Sequence, residues 1–278
     1  MKPRRLALLL LSVALSIHRP AHAALSIFVE LPGVNGESSP PGSPDVIALD
    51  SLSVAPGTFD ATKLVDSTSP ALATAAVTAT PYSSASLLFY DDLLADTQPD
   101  AALVLHTALI SGIQSLMIGP NLGERVSFSF AAPTLSLFLA LPGVTGESTA
   151  PGHPGVIQVE SIALSADGFS VLKLLDSTSP ALSTAAVTAT PFATASLLFY
   201  EDILTASRPD FALVYQQALV SSIATAGSLE VPKEEVTFAS TGAHVVPEPA
   251  AATLLAAALV AAALLRRSAA AARVTARL

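Results

Sequence analysis

Lys63-Leu64-Val65-Asp66-Ser67-Thr68-Ser69-Pro70-Ala71-Leu72 returns as Lys173-Leu174-Leu175-Asp176-Ser177-Thr178-Ser179-Pro180-Ala181-Leu182. Each copy reads as the entry to a helix. Ser69 or Thr68 supplies a hydroxyl of the kind that caps orphan N–H groups. Pro70 suits the first turn, where its missing N–H breaks no bond. Ala71 to Val77 are compatible with a helix, and Pro81 forces an end. The same grammar runs from Ser179 to Pro191. Lys63 with Asp66, and Lys173 with Asp176, are read as positioning this helix.

The repetition spreads outward in both directions. Leu31-Pro32-Gly33-Val34-Asn35-Gly36-Glu37-Ser38 returns as Leu141-Pro142-Gly143-Val144-Thr145-Gly146-Glu147-Ser148, and Ser86-Leu87-Leu88-Phe89-Tyr90 as Ser196-Leu197-Leu198-Phe199-Tyr200. The offset is constant, and between Leu31 and Ile113 more than half the positions match their counterparts. A solenoid repeats every 20–50 residues or so. A period of roughly 110 is the size of a complete small domain. We therefore expect two tandem copies, over residues 24–132 and 133–244.

Each copy reads mainly as β. Val126-Ser127-Phe128-Ser129-Phe130 alternates with the period of a half-buried strand. Leu135 to Leu139 is a short apolar run suited to a more buried one. So few residues separate these strands that the copies have little freedom to move apart. Phe211 to Leu219 fits both a helix and an alternating strand. Glu37 to Pro44 and Glu147 to Pro154 are loops rich in Ser, Pro and Gly, fitted equally to intersubunit contact and to plain solvated connection.

The ends have another character. Met1-Lys2-Pro3-Arg4-Arg5, an apolar run from Leu6 to Ile17 and Ala21-His22-Ala23 make a secretory signal peptide over residues 1–23, with cleavage expected after Ala23. At the other end Pro247-Glu248-Pro249 precedes an apolar stretch at 250–265, then Arg266 and Arg267. As a helix this stretch would rise about 24 Å, slightly short of the hydrocarbon core. Arginines after it favour a cytoplasmic end. This tail, 245–278, resembles the PEP-CTERM sorting signal. The resemblance implies recognition and removal by an exosortase after a transient stay in the inner membrane. Some 11 residues continue past the arginines, a departure from the pattern, and a plain C-terminal membrane anchor is the alternative.

Between Ala24 and Glu248 stand only Lys63, Arg125, Lys173, Arg208 and Lys233 against all 22 acidic residues, a net charge of about −17. Such a surface repels phosphate backbones and argues against nucleic acid as a partner. With no cysteine, disulfides and thiolate chemistry are excluded.

The repeated unit resembles the Hcp family, the tube protein of type VI secretion systems. Phe138-Leu139-Ala140-Leu141-Pro142-Gly143-Val144-Thr145-Gly146-Glu147-Ser148 is similar to the family's opening strand and Gly-Glu-Ser loop, and Gly152 to Val159 to its second strand. Lys173 to Leu182 resembles its Lys-x-x-Asp-x-x-Ser-Pro helix entry, and Glu235-Val236-Thr237-Phe238 its last strand. By this likeness Phe211 to Ile223 is a strand. The resemblance implies two small β-barrels, each with one packed helix, followed by the C-terminal apolar helix. It also implies a homo-oligomeric ring, which three two-copy chains could close with six units. Family tube proteins are single domains without a signal peptide, so a role in an injection machine is not carried over.

No catalytic constellation emerges. Of the histidines outside the signal, His106 and His153 answer to Gln216 and Ser43, and His244 lies at the end of the second copy, in the linker before the tail. No zinc spacing, nucleophile elbow or phosphate loop is present. Asp91-Asp92 and Glu201-Asp202 recur, but neighbours on a strand point to opposite faces and cannot converge on one bond. They are read as solvated acids at a strand end. The expectation is an exported structural or assembly protein with no catalytic residue, cofactor or metal. Its processing partners are signal peptidase and exosortase, and its address is the periplasm, cell surface or extracellular matrix. A module that binds exopolysaccharide or another protein is the alternative, short of the aromatic rings that sugar platforms use. A hydrolase ranks last.

Overall fold

The computed structural model describes residues 25–247 apart from 92, 94–97, 131–134, 166, 202, 204–205, 207 and 228–230. The first half runs β1 (Ser26–Glu30), β2 (Ile47–Leu49), β3 (Ser51–Ala55), β4 (Thr58–Leu64), α1 (Ser69–Thr78), β5 (Tyr82–Tyr90), β6 (Ala101–Ile118) and β7 (Asn121–Phe130). The second half follows as β8 (Ser136–Ala140), β9 (Ser148–Ala150), β10 (His153–Val159), β11 (Ser161–Ser165), β12 (Gly168–Leu174), α2 (Ser179–Thr188), β13 (Phe192–Tyr200), β14 (Phe211–Gly227), β15 (Pro232–Ala239) and β16 (Gly242–Pro247). Among the described residues the fold is mainly β with one helix in each half, and the segment beginning at Phe211 is a strand.

Within the first half the strands pair in the order β2-β1-β5-β6-β7-β4-β3, and the second half repeats this as β10-β8-β13-β14-β15-β12-β11. β2 and β3 are separated only by Asp50, whose N–H donates to Thr62 O at 2.8 Å. The stretch 47–55 thus pairs with β1 at one end and β4 at the other, so the path through the half begins and ends on one continuous segment. Glu160 repeats the join with Leu172 O at 2.7 Å. β6 and β14 serve two neighbours each. They pair with β5 and β13 first, then with β7 and β15. Thr107 (φ 55°) and Gln217 (φ 50°) are left-handed at these changeovers, and a bulge follows each.

Alternation puts Phe59, Ala61, Leu87, Phe89, Leu103, Leu105, Val126 and Phe128 inside with Leu72 of the helix. Loop 37–44 is fastened over the outside by the Tyr90 hydroxyl, which donates to Pro41 O at 2.8 Å; Tyr200 does the same to Pro151 O at 2.7 Å. Gly36 and Gly146 sit so close to the backbone of Val46 and Val156 that a Cβ would fall about 2 Å from a carbonyl oxygen. Of the Gly-Glu-Ser loop, only glycine fits there.

The halves join through β3 and β11, with Leu52 opposite Leu164, Ser53 opposite Ala163 and Val54 opposite Ile162. Position for position, Leu164 is the counterpart of Val54 and Ile162 that of Leu52. The register is self-complementary, so a two-fold axis normal to the sheet relates the halves here. Their interiors form one core, in which Phe211 lies 5.3 Å from Phe89 and 4.4 Å from Phe199. The halves are thus joined by a shared sheet as well as by a short connection.

Candidate functional site

Two polar groups are concentrated enough to ask for chemistry. The first is the lysine cluster at the helix entry. Lys63, next to last in β4, is on its inward face and is 2% exposed; Lys173 is fully buried. Lys63 Nζ donates to Leu64 O (2.8 Å), Asp66 Oδ1 (2.8 Å), Ser69 Oγ (3.2 Å) and Glu124 Oε1 (2.9 Å). Lys173 makes the same set with Leu174, Asp176, Ser179 and Glu234. Ser69 Oγ in turn donates to Glu124 Oε1 at 2.8 Å and accepts from Asp66 N.

Burial pushes the Asp66 carboxyl up, but hydrogen bonds from Lys63 and from the Thr68 hydroxyl and N–H outweigh it and leave it below its ordinary value. Asp176 is held down in the same way. A serine beside a lysine can be a nucleophile and its base, but only if the amine is free to take a proton. Here the ammonium lies between two carboxylates, and the serine hydroxyl is directed at one of them. The cluster ties the helix entry to β4 and to β7 or β15. It also revises the capping expectation. Thr68 and Thr178 occupy the cap positions without a side-chain cap bond, since their hydroxyls go to Asp66 and Asp176 at 2.6 Å. Pro70 and Pro180 do stand in the first turn.

Glu124 and Glu234 are the members that sequence reasoning missed. They lie 61 residues from their lysines, and no local spacing announces them.

The second group lies where the halves meet. Asp91 N donates to Asp100 Oδ2 at 3.0 Å, and Asp91 Oδ2 accepts from Val245 N at 3.4 Å. Glu201 N donates to Asp210 Oδ2 at 2.7 Å. Burial raises the Glu201 carboxyl and Asp210 adds to the rise, while His106 and the Val104 backbone N–H act against it. Asp91 and Glu201, just past β5 and β13, are therefore junction residues rather than solvated ends, because each carboxylate meets a backbone N–H of the other half. Asp92 and Asp202 lie outside the described residues. Among the described residues no group of three or more His, Asp or Glu side chains could hold a metal ion. His153 stands in β10 and His244 in β16, in different elements from His106.

Of the processing residues, Ala21, Ala23, Glu248, Pro249, Arg266 and Arg267 lie outside the described residues, as does the apolar stretch 250–265. Among the described residues no helix is long and apolar enough to cross a membrane. Pro247 is the last residue of β16, paired with Phe211.

No family model matches the chain, and no curated protein matches it. Among solved structures it is similar to Hcp1 from Salmonella typhimurium, at 19% identity over 40% of this chain and 91% of that one, with a TM-score of 0.35. Hcp2 from Salmonella typhimurium gives 18% identity over 41% and 97%, with a TM-score of 0.33. A type VI secretion system effector from Yersinia pestis gives 20% identity over 40% and 98%, also at 0.33. Scores at this level carry no functional inference.

Proposed function

We propose that this chain is an exported structural or assembly protein built from two Hcp-like barrels, 24–132 and 133–244. It would enter the secretory route by residues 1–23 and be sorted through its tail, 245–278, by an exosortase, to the periplasm, cell surface or extracellular matrix. The carrying observation is that both halves spend their buried polar groups on holding the helix and on joining each other. The resemblance of the helix entry and the Gly-Glu-Ser loop supports the Hcp-like reading. The return of each strand path to one segment fits a barrel.

The self-complementary join changes the assembly that three chains would make. Members of a cyclic ring all face the same way, whereas a two-fold reverses one half relative to the other. Consecutive halves of one chain are thus unsuited to successive places in one ring. Each copy would put a single half in a ring, so six copies would close it and carry a second layer. Native mass spectrometry of the mature protein tests this, and its termini test the processing. A six-copy species with cleavage after Ala23 and near Pro247-Glu248-Pro249 is expected. A three-copy ring contradicts the assembly, and uncut ends contradict the sorting. The exopolysaccharide reading gains little support, since Tyr90, Tyr200 and Tyr215 are buried and Tyr82 is half-buried.

A further inference from the structure

Among the described residues β16 has no counterpart in the first half. The residues 110 earlier lead out of β7 into β8, whereas β16 turns back to lie antiparallel on β14, from Gln216 opposite Gly242 to Phe211 opposite Pro247. Ala243 and Val245 are buried against the core. On its other side the Val245 N–H meets Asp91 Oδ2 of the first half, at 3.4 Å. The strand therefore reads both halves: its ladder needs β14, and its outer amide needs the end of β5. Pro247, opposite Phe211, is the last residue of the described ladder. The next residue in sequence is Glu248, inside Pro247-Glu248-Pro249.

A protease takes its substrate as free, extended backbone, so cutting tracks how often the local hydrogen bonds open. We propose that β16 is a clasp that couples removal of the tail to the folded state of both halves. While it is docked, residues 242–247 are held in the sheet, and a cleaving enzyme can engage only the chain beyond them. Peeling of β16 from its C-terminal end then sets the rate at which the Pro-Glu-Pro segment becomes a good substrate. The proposal rests on the tail being a processed sorting signal, and two separate readouts keep the ideas apart.

The first uses the full chain in detergent micelles, proteinase K and mass spectrometry to map cuts. We expect residues 242–247 to resist in the wild type. Val245→Asp, which puts a charge in the core, and the milder Asp91→Ala are expected to speed cutting there by about 10-fold, the effect of a local opening made easier by about 1.4 kcal/mol. Equal rates in wild type and both variants would overturn the clasp. The second readout follows tail removal in producing cells after a five-residue Gly-Ser spacer is inserted between Pro247 and Glu248. Faster removal is expected. Unchanged removal overturns the coupling, and no removal in any version overturns the sorting reading beneath it.

Discussion

The two halves agree in what holds each together and in the β3–β11 join, and differ along the outer edges of β6 and β14. The lysine clusters match contact for contact, and so do the tyrosine fastenings and the crowded glycines. The outer edges of β6 and β14 do not match. Along β14 that edge carries β16, and Ala212 beneath it is buried; along β6 the counterpart Ala102 and its neighbour Val104 are exposed. Among the described residues no strand pairs with that edge of β6, and the Val104 N–H is met by the Glu201 carboxylate of the other half. The contrast separates self-sufficiency, which both copies retain, from junction chemistry, where each has its own solution.

The largest test breaks the matched part. Lys63→Met and Lys173→Met each strand two carboxylates, one of them buried, without their cation. Each should cost roughly 3–5 kcal/mol in urea unfolding. Because the halves share a core, both variants should still unfold in one transition. Two separate transitions would show that the halves are independent.

Gly36→Ala and Gly146→Ala drive a methyl into a carbonyl and should each cost about 1–3 kcal/mol. A clear inequality between them would mean that one loop yields where the other does not. Tyr215→Phe probes a difference instead. Among the described residues the Tyr215 hydroxyl has no hydrogen-bond partner, and burial pushes its phenol well up. Its first-half counterpart is Leu105. Removing the hydroxyl should raise the melting temperature, for a gain of about 1 kcal/mol.

The smallest effect is one of pH. Asp66 and Asp176 are held below their ordinary value of 3.8 in the folded protein. The stability they add is full above that value and is lost as pH falls through the lower folded one. In Asp66→Asn and Asp176→Asn that contribution is already absent at neutral pH, so in urea unfolding the gap from wild type should narrow as pH falls below about 3.8.

How much of this could be read in advance depends on range. The helix entry and the Lys63–Asp66 contact follow from spacings of a few residues, whereas the spacing at Phe211 fits a helix as well and only the Hcp resemblance decides for a strand. Glu124 could not be paired with Lys63, because a strand 61 residues away must first be placed beside it. The junction left no mark either: Ser53 and Ala163 look like any edge-strand residues, and only the folded sheet shows them opposite each other. The threonine caps misled because the rule for helix starts is local, while the lysine cluster recruits those hydroxyls through the tertiary fold.

The two-fold join at β3 and β11 is the claim on which the rest depends, and a chain without cysteine permits a clean check. Ser53→Cys combined with Ala163→Cys places two thiols on directly opposed residues, within the reach that a disulfide requires. Under mild oxidation the mature protein should form one intramolecular disulfide, seen as a loss of about 2 Da with no cross-linked dimer. Persistently free thiols, or linkage only between chains, would contradict the join and the assembly built on it.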